Sequence, residues 1–355
     1  MKPKRILITG GGTAGSTTPL LALFDEIKEK SPKTKFLFVG TKKGVPEKTL
    51  ARDKNIAYKS IYSGKLRRYF SFQNFIDPFK IMVGFFQSLF LIKKFKPVAI
   101  LEAGSFVSVP VCIAGWFLKV PVFLHQLDAR PGLANKILSF FATKITLSFK
   151  CLKNNFTKKG IVTGTPVRKD ILNGSKKKAI EKYKLEKDLK TVLIMGGGTG
   201  ALHINQVVLK ALPKLNKKCQ IIHLTGKGKL IKKLDYHYRA YEFLSDLKHA
   251  YKAADIVVSR AGIGAISELS ILGKPTIFIP LPNSPQEKNA NIFCKNKSAL
   301  CIKDKDLTPS ILYKKINKLL KSDKKRKNLS LKFKKMSHPK ASLEIVKIIF
   351  KNIKN

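Results

Sequence analysis

Two glycine-rich segments are the strongest candidates for chemistry in this sequence. Gly10–Gly15 reads Gly-Gly-Gly-Thr-Ala-Gly, and Gly196–Ala201 reads Gly-Gly-Gly-Thr-Gly-Ala. Each segment follows a short apolar run typical of a buried strand and precedes a stretch whose apolar residues have helical spacing. Glycines at such a turn let a ligand approach backbone N–H groups, and the N-terminus of the following helix attracts anions. We therefore predict an anion-binding loop in each half of the chain.

The spacing within the first loop narrows the choice of ligand. It lacks the G-x-x-x-x-G-K-[ST] pattern of ATP-hydrolysing P-loops, and its formal G-x-G-x-x-G match is weak by itself. A tight turn without a ligand stays an alternative. A dinucleotide oxidoreductase would need an acid at the end of the next strand, and Phe38–Lys43 contains none. Two loops at equivalent places suit a reaction between two phosphate-bearing substrates better than one dinucleotide.

The elements that position these loops follow a β-α-β rhythm, which predicts parallel sheets with helices on both faces. The polar, Lys-rich stretch near residues 165–190 interrupts this rhythm once. We therefore predict an α/β protein with two Rossmann-like domains, at residues 1–166 and 167–340, whose sheets face a central cleft, and a closing C-terminal helix at residues 341–355. The predicted strands are Ile6–Thr9, Lys35–Val39, Val98–Leu101, Val120–Leu124, Lys144–Ser148, Thr191–Met195, Gln220–Leu224, Ala240–Leu244, Ile256–Ser259 and Pro275–Pro280.

Composition limits the possible partners and compartments. The 355 residues carry a formal net charge of +48, which favours anionic partners such as phosphorylated substrates, an anionic membrane or nucleic acid. No recognised nucleic-acid motif accompanies the charge, so we expect no specific nucleic-acid partner. The five cysteines are dispersed without a C-x-x-C pair, which argues against a disulfide framework and a zinc knuckle. No run of 18 apolar residues occurs, and we expect no membrane-spanning helix.

Seven short motifs, in this order and spacing, resemble the MurG family of glycosyltransferases. This resemblance covers nearly the whole chain and implies the two-domain GT-B fold, with inverting transfer of N-acetylglucosamine from UDP-N-acetylglucosamine to a polyprenyl-diphosphate-muramyl-(pentapeptide) acceptor. It also implies no cofactor and no catalytic metal. The motifs are Gly11-Gly-Thr-Ala-Gly15, Gly104-Ser-Phe-Val-Ser108, His125-Gln-Leu-Asp128 with Gly132-Leu-Ala-Asn135, Gly164-Thr-Pro-Val-Arg168, Gly196–Ala201 with Asn205, Ser259-Arg-Ala-Gly262 running to Glu268, and Gln286-Glu-Lys-Asn289.

The resemblance implies which residues bind the UDP-sugar. Glu268 suits the ribose hydroxyls because a carboxylate accepts two hydrogen bonds, although an acid in the first turns of a helix is the alternative reading. Gln286 matches a sugar contact, Leu244 a uracil contact and Arg168 a phosphate contact, while Arg168 or Arg260 would stabilise the leaving diphosphate. The full set is Thr13, Ala14, Gly15, Asp128, Arg168, Gly198, Leu244, Ile263, Gly264, Ala265, Ile266, Ser267, Glu268 and Gln286.

The departures from the family pattern concern the catalytic base. Ser16 stands where the family has a histidine, and a neutral serine is a poor general base without help. The family's His-Glu-Gln-Asn is His125-Gln-Leu-Asp128 here, so a carboxylate has moved to the fourth position. We predict Asp128, or else His125, as the catalytic base. A structural role for His125 is the alternative.

One segment suggests where the protein meets a membrane. Arg67, Arg68, Phe70 and Phe72 combine positive charge with aromatic rings, which suits peripheral attachment to an anionic leaflet at the cytoplasmic face of the cell membrane. In the following segment, 81–96, we favour a packed helix with Phe85, Leu89 and Ile92 in the core.

Two other readings of the sequence stay open. Asp304-Lys-Asp306 matches a metal-binding D-x-D, but its late position in a Lys-rich turn favours a chance match. Another lipid-acceptor GT-B enzyme, such as a diacylglycerol glycosyltransferase, and a basic nucleic-acid-binding protein are the alternative functions.

Overall fold

The computed structural model divides the chain into two compact units. Unit 1 comprises Met1–Arg168 and His338–Asn355, and unit 2 comprises Lys169–Ser337. The structure describes residues 3–11, 14–42, 44–64, 73–156, 158–197, 200–230, 235–244 and 246–353. Each unit is built on a parallel sheet with helical crossovers, which confirms the predicted α/β class with two Rossmann-like halves.

Unit 1 contains a seven-stranded parallel sheet in the order β3-β2-β1-β4-β5-β6-β7. The central strands are buried on both faces because they are near-continuous apolar runs, as expected of a covered parallel sheet. The order reverses next to β1, so the loops after β1 and β4 flank the switch point where ligands of such sheets bind. The strands are β1 (Arg5–Thr9), β2 (Lys35–Thr41), β3 (Ala57–Ile61), β4 (Ala99–Glu102), β5 (Val122–Gln126), β6 (Lys144–Leu147) and β7 (Gly160–Val162).

The helices of unit 1 cover this sheet, and a segment from the far end of the chain joins them. Ala341–Asn352 forms a helix that packs on the helix Ala14–Lys30. Its apolar residues Ile345, Val346 and Ile349 are buried there. The described helices of this unit are α1 (Ala14–Lys30), α2 (Val45–Asp53), α3 (Gln73–Phe95), α4 (Ser108–Phe117), α5 (Leu133–Phe141) and α13 (Ala341–Asn352), with a 3-10 helix at Lys150–Asn155.

Unit 2 contains a six-stranded parallel sheet in the order β10-β9-β8-β11-β12-β13. Its order reverses between β8 and β11, which puts the loops after these two strands side by side at the carboxyl edge. The strands are β8 (Thr191–Met195), β9 (Gln220–Leu224), β10 (Tyr238–Tyr241), β11 (Ile256–Ser259), β12 (Thr276–Phe278) and β13 (Leu300–Cys301). The α-helices are α6 (Lys176–Tyr183), α7 (Leu202–Leu215), α8 (Leu247–Ala253), α9 (Ile263–Leu272), α10 (Pro285–Lys295), α11 (Pro309–Leu320) and α12 (Asp323–Lys335), with 3-10 helices at Lys169–Asn173 and Asp304–Asp306.

Three features differ from the sequence-based predictions. The edge strands β3, β7 and β13 were not predicted, because their residues are mostly exposed or half-buried and lack the apolar run of a central strand. The strand predicted at Ala240–Leu244 is β10, which begins and ends earlier. The expectation of no disulfide is wrong for one pair, because the turn after α10 brings Cys294 and Cys301 to a Cα–Cα distance of 6.1 Å, where they are bonded.

Helix α3 also differs from the expectation that no helix could span a membrane. The segment Phe75–Phe95 of this helix has 21 residues. Its most apolar stretch of 18 residues has a mean hydropathy of 1.5, and only 22% of that stretch is buried. Gln87 and Ser88 interrupt the apolar run without lowering the average below the range of spanning helices. Length and composition are weak grounds for a span, since the core helix of a soluble protein can have both. One side of α3 packs on α4, so the helix is anchored to its own unit.

Candidate active site

The second glycine loop connects β8 to α7 at the carboxyl edge of the unit 2 sheet. Gly197 and Gly200 have φ values of 86° and 71°, the left-handed region that glycine adopts without strain. A Cβ atom on Gly200 would lie 2.1 Å from the carbonyl oxygen of Thr225, whereas the space around Gly197 is open. The loop therefore packs tightly on the turn after β9 and leaves its other side accessible. The cap residue of α7, Ala201, has no side-chain acceptor, so the first N–H groups of this helix are available to an anion.

A chain of buried polar side chains lies behind this loop. Asn205 donates through Nδ2 to the carbonyl oxygen of Thr225 at 2.9 Å, and its Oδ1 lies 3.1 Å from Nε2 of His223. The Nδ1 atom of His223 lies 2.8 Å from the hydroxyl of Tyr238. These contacts are mutually satisfied when His223 is neutral with its proton on Nε2. Burial lowers the pKa of His223 to about 4, which maintains this state at neutral pH. This series of hydrogen bonds therefore fixes the turn after β9, on which Gly200 packs.

Helix α9 provides a second free N-terminus at the same edge. Its cap residue is Gly262, and its predicted ligand residues Gly264, Ala265 and Ser267 are half-buried, whereas Ile263 and Ile266 are buried. Nothing lies within 4 Å of the position that a Cβ atom would occupy at Gly264, so a ligand has room to approach the backbone there. The structure therefore presents part of the predicted segment from Ile263 to Glu268 to solvent and uses the two isoleucines for packing.

Two residues of α10 hold the peptide that precedes α9. Gln286 accepts through Oε1 from the N–H groups of Ala261 at 3.2 Å and Leu281 at 3.1 Å. Asn289 donates through Nδ2 to the carbonyl oxygen of Ala261 at 3.3 Å. They are one helical turn apart and hold both polar groups of one residue, so the spacing Gln-x-x-Asn has a structural purpose. Nε2 of Gln286 faces Gly262, 3.9 Å from the place a Cβ would occupy there.

The other predicted donor contacts of unit 2 occupy different environments. Glu268 is buried, and its Oε2 accepts from the hydroxyl of Tyr251 at 2.9 Å. This hydrogen bond orients the carboxylate that we predicted for the ribose hydroxyls. Leu244 lies beyond the end of β10 and is half-buried, next to Phe243, whose exposed fraction is 71%. Gly198 lies outside the described residues.

The structure gives Arg260 a different role from the one predicted. Its Nη1 donates to the carbonyl oxygens of Ile279 at 3.1 Å and Pro280 at 3.0 Å and to the carboxylate of Asp304. The guanidinium is buried among these groups, so the prediction that Arg260 binds the diphosphate is not supported. Asp304 is the first acid of the D-x-D motif. It pairs with Arg260 and also lies 3.0 Å from Nδ1 of His203, so these two side chains account for its position.

In unit 1, the loops after β1 and β4 are joined at the carboxyl edge. Ser105 donates through Oγ to the carbonyl oxygen of Gly11 at 3.0 Å, and the N–H of Gly104 donates to Glu102 at 2.6 Å. Burial raises the pKa of Glu102 to about 8, although hydrogen bonds from this loop oppose the increase. A Cβ on Gly11 would lie 2.4 Å from Oε1 of the buried Glu47. The glycine at this position therefore leaves room for a buried acid under the first loop.

Asp128 follows β5 at the same edge and is held by an amide pair. Gln126 donates through Nε2 to the backbone carbonyl of Asp128 at 2.6 Å, and its Oε1 accepts from Nδ2 of Asn135 at 2.6 Å. Asn135 lies in the first turns of α5 beside Gly104, where a Cβ would be 3.2 Å from Nδ2. The amide pair thus connects the loop after β4 with the bend that carries Asp128. The Asp128 residue itself is half-buried.

His125 lies inside β5 and has the environment of a structural residue. Its exposed fraction is 2%, Nδ1 lies 2.8 Å from Oγ1 of Thr146, and Nε2 lies 3.4 Å from Oγ of Ser148. Thr165 in turn donates to Ser148 at 2.7 Å. Burial lowers the pKa of His125 to about 3. This geometry favours the structural alternative over the predicted role as base.

The remaining predicted residues divide between described and undescribed parts of the chain. Gly15 is exposed in the first turn of α1, which begins at Ala14, and Ser16 is buried. Arg168, a phosphate contact in our prediction, is half-buried. Thr13 and the predicted membrane residues Arg67, Arg68, Phe70 and Phe72 lie outside the described residues.

Several residues that shape these sites had no assigned role in the sequence analysis. His203 contacts Asp304, 101 positions away, and His223 contacts Asn205 and Tyr238 on other elements, so no local pattern indicates these histidines. Gln126 lies inside a family motif without an assigned role, and Glu47 is identified only by its place beside Gly11. Asn135, Asn205 and Asn289 were recognisable as parts of family motifs, and the structure adds the backbone groups that each amide holds.

Comparisons with known proteins match both units. The glycosyltransferase family 28 N-terminal domain matches residues 6–147, and the glycosyltransferase family 28 C-terminal domain matches residues 191–345. A UDP-N-acetylglucosamine--N-acetylmuramyl-(pentapeptide) pyrophosphoryl-undecaprenol N-acetylglucosamine transferase from Clostridium botulinum is 40% identical over 99% of this chain and 98% of its own. The transferase of the same name from Clostridium perfringens is 41% identical over 95% of this chain and 96% of its own.

Solved structures agree in fold. MurG of Acinetobacter baumannii superposes with a TM-score of 0.77 over 98% of this chain and 100% of its own, at 23% identity. A UDP-GlcNAc 2-epimerase from Neisseria meningitidis, bound to UDP-GlcNAc, gives a TM-score of 0.71 over 98% of this chain and 100% of its own, at 15% identity. Since the epimerase has the same fold but a different name, the fold alone does not select the reaction. The full-length identity of about 40% does distinguish the families, and it shows that the chain belongs to the MurG family of GT-B transferases within glycosyltransferase family 28.

Proposed function

We infer that the protein transfers N-acetylglucosamine from UDP-N-acetylglucosamine to a polyprenyl-diphosphate-muramyl-(pentapeptide) lipid, which forms the disaccharide lipid precursor of peptidoglycan. The observation that carries this inference is the 40% identity to a transferase of that name across 99% of the chain. The paired carboxyl-edge loops of the two units are consistent with a reaction between two diphosphate-bearing substrates.

We propose that unit 2 binds the donor. The N-termini of α7 and α9 lie at neighbouring strands, β8 and β11, and both offer uncapped N–H groups to the diphosphate. Glu268 accepts from the ribose hydroxyls, and Nε2 of Gln286 donates to a sugar hydroxyl. Leu244 contacts the uracil. The sequence-based prediction also assigns Thr13, Ala14, Gly15, Asp128 and Arg168 of unit 1 to donor binding.

A calorimetric titration with UDP tests the donor site. Glu268→Ala removes the carboxylate proposed for the ribose, and loss of a buried hydrogen-bonded contact costs about 1–3 kcal/mol. Tyr251→Phe is the matched control, because it removes only the hydroxyl that orients Glu268 and should weaken UDP binding less. A folded Glu268→Ala protein with wild-type UDP affinity would show that this carboxylate does not bind the ribose.

We propose Asp128 as the general base. In the transfer step, the acceptor hydroxyl gives its proton to the Asp128 carboxylate while its oxygen attacks the anomeric carbon. The bond between that carbon and the phosphate oxygen breaks, and UDP leaves with the bonding electron pair. The N–H groups and dipoles of α7 and α9 stabilise the additional negative charge on UDP. The Gln126–Asn135 pair supports the bend on which Asp128 lies.

The activity itself is tested by transfer of radiolabelled sugar. We expect labelled N-acetylglucosamine to pass from the UDP-sugar to the lipid-diphosphate-muramyl acceptor. A diacylglycerol acceptor offered in parallel tests the alternative lipid glycosyltransferase. Transfer to diacylglycerol and none to the muramyl lipid would contradict the proposed function.

We also propose that the protein acts as a peripheral protein at the cytoplasmic face of the membrane, on an aromatic surface of unit 1. This surface is made of residues other than the predicted segment 67–72, which lies outside the described residues. Along α3, Phe79, Phe86 and Phe90 are each more than 60% exposed on one side of the helix, while Ile92 is buried on the other. The whole aromatic surface consists of Phe75, Phe79, Phe86 and Phe90 of α3, Trp116 and Phe117 of α4, and Phe140 of α5.

The packing of this region supports an interfacial position. Trp116 contacts Phe141 of α5 with ring centroids 5.3 Å apart, and Phe117 contacts Phe85 of α3 at 6.3 Å, so the three helices present their rings together. Exposed lysines of the same helices, including Lys94 and Lys136, supply positive charge. Rings that enter the headgroup layer, flanked by lysines, are the pattern of attachment to an anionic leaflet.

Vesicle binding tests the aromatic surface. The double change Phe79→Ser and Phe86→Ser should reduce binding to anionic vesicles while UDP affinity is retained. Leu331→Ser, at a residue 63% exposed in unit 2, is the control for losing an exposed apolar side chain elsewhere. Equal vesicle binding by the double variant and the wild type would refute attachment through this surface and favour the predicted segment at residues 67–72.

A further inference from the structure

The carboxylate of Asp304 connects two elements of the proposed donor site. Its Oδ2 lies 3.0 Å from Nδ1 of His203, in the first turn of α7. Its Oδ1 accepts from Nη1 of Arg260, which lies two residues before the cap of α9. The side chains of Asp304 and Arg260 are 15% and 9% exposed, whereas that of His203 is 43% exposed. A half-buried carboxylate thus bridges a buried guanidinium and a half-exposed imidazole.

The position of this bridge relates it to phosphate binding. His203 is the second residue after the second glycine loop, and Arg260 lies in the loop after β11. The same Nη1 atom of Arg260 also donates to the carbonyl oxygens of Ile279 and Pro280 after β12, which restrains the guanidinium. The two helix N-termini proposed to bind the diphosphate are therefore held to each other through Asp304. Neither His203 nor Arg260 needs to touch the ligand for this effect.

We propose that Asp304 is a positioning residue that sets the spacing between the N-termini of α7 and α9 and thereby the affinity for the donor diphosphate. This inference rests on the proposed function, because it assumes that these two helices bind the UDP-sugar. Anion binding by helix N–H groups depends on their alignment with the phosphate oxygens, and loss of one hydrogen bond to a charged group costs roughly 10- to 100-fold in affinity.

The geometry separates this role from a metal clamp. In a D-x-D clamp, both acids approach one divalent cation. Here each oxygen of Asp304 already has a nitrogen partner, and Asp306 is exposed on the same 3-10 turn. Burial raises the pKa of Asp304, but the hydrogen bonds from His203 and Arg260 outweigh this effect and lower the pKa overall. The carboxylate is therefore ionised and paired at neutral pH.

A pair of matched variants tests the proposal. Asp304→Asn removes the bridging charge with little change of shape, and Asp306→Asn makes the same charge change on the same turn without touching the bridge. We expect Asp304→Asn to weaken UDP binding by roughly 10- to 100-fold in calorimetry and to raise the donor KM similarly, as for the loss of one hydrogen bond to a charged group. The acceptor KM should stay at its wild-type value. Asp306→Asn should match the wild type in every measurement.

The outcomes separate the possible explanations. Wild-type UDP affinity in a folded Asp304→Asn protein overturns the proposal. Equal losses in both variants, together with loss of UDP binding in EDTA, would instead indicate a metal clamp. Equal rises of both substrate KM values would indicate general damage to the fold. If the wild type binds no UDP at all, the proposed function fails before the inference is reached.

A milder variant covers the case in which Asp304→Asn fails to fold. His203→Gln removes only the α7 side of the bridge at a half-exposed position, and Arg260 keeps its buried partner. We expect UDP affinity to fall in the same direction but less, with the melting temperature close to that of the wild type. Unchanged UDP affinity in His203→Gln would also contradict the proposal.

Discussion

Substitution of His125 and Asp128 should separate a structural residue from a catalytic one, although the two are only three positions apart in the sequence. His125 is buried in β5 with hydroxyl partners at both ring nitrogens. Asp128 is half-buried on the bend that follows. We expect His125→Ala to lower stability and Asp128→Asn to lower kcat. The two effects should appear in different measurements.

The magnitude for His125 follows from its contacts. Removing the ring takes one partner from Oγ1 of Thr146, which still donates to the carbonyl oxygen of Leu124, and one from Oγ of Ser148, which still accepts from Thr165. Losing a hydrogen bond at a group that keeps another partner costs about 0.5–1.5 kcal/mol, so the loss for the two groups is about 1–3 kcal/mol before any cavity is counted. For a domain the size of unit 1, each kcal/mol lowers Tm by roughly 2–4 °C. A pKa near 3 also makes this imidazole a weak base at neutral pH.

The magnitude for Asp128 comes from the chemistry of transfer. General-base assistance is typically worth about 10²–10⁴-fold in rate. Asp128→Asn keeps the size of the side chain, and the Gln126 contact is to the backbone, so the bend should persist. Steady-state transfer with both substrates saturating gives kcat, and calorimetry with UDP and thermal unfolding serve as controls. Wild-type kcat in Asp128→Asn, or a His125→Ala protein with unchanged Tm but lost kcat, would refute the reasoning.

Three further predictions concern pH and backbone geometry. The pKa of His223 is about 4 in the folded state and 6.5 in the reference state. The neutral imidazole therefore stabilises the fold above pH 6.5, and this contribution is lost as the pH falls. This loss should reach about 2 kcal/mol near pH 5 in chemical denaturation, and His223→Gln should flatten that slope. The pKa of Glu102 is raised to about 8, so stability that is present below 4.5 is lost as pH rises toward 8. Glu102→Gln should therefore raise Tm more at the alkaline end than near pH 5, and the same gain at both ends would contradict the raised pKa. Gly200→Ala should lower UDP affinity far more than Gly228→Ala, because both glycines have φ near 70° but only the first would press a Cβ against Thr225. Equal losses would attribute the effect to backbone strain alone.

The sequence was sufficient for the central strands and for the two glycine loops. Runs such as Ile6–Thr9 and Thr191–Met195 are apolar except for one terminal threonine each, because both faces of a parallel strand are covered, and this pattern is local. Edge strands lack it. In β3, four of the five residues from Ala57 to Ile61 are exposed or half-buried, so its alternation has too few apolar positions to stand out.

The candidate site was predictable only where its residues lie in family motifs. The contact between His203 and Asp304 joins positions 101 residues apart, and that between Asn205 and His223 depends on how α7 packs on β9. Such pairs follow from tertiary structure and leave no local pattern. The sequence likewise identified Ile92 as a core residue of α3 but not the exposed side of Phe79 and Phe86, because the helix is apolar on both sides.

The path of the chain through the two units has a consequence for how the protein can be made and divided. Unit 2 is one continuous segment, Lys169–Ser337, inserted into unit 1, whose last helix α13 packs on its first helix α1. On the ribosome, unit 2 is therefore complete before unit 1 has received its final helix, although unit 1 starts first. The side of α1 that α13 covers in the finished protein therefore stays uncovered during that interval. A gene fragment can encode unit 2 alone, whereas unit 1 needs two fragments or a linker that replaces the insertion.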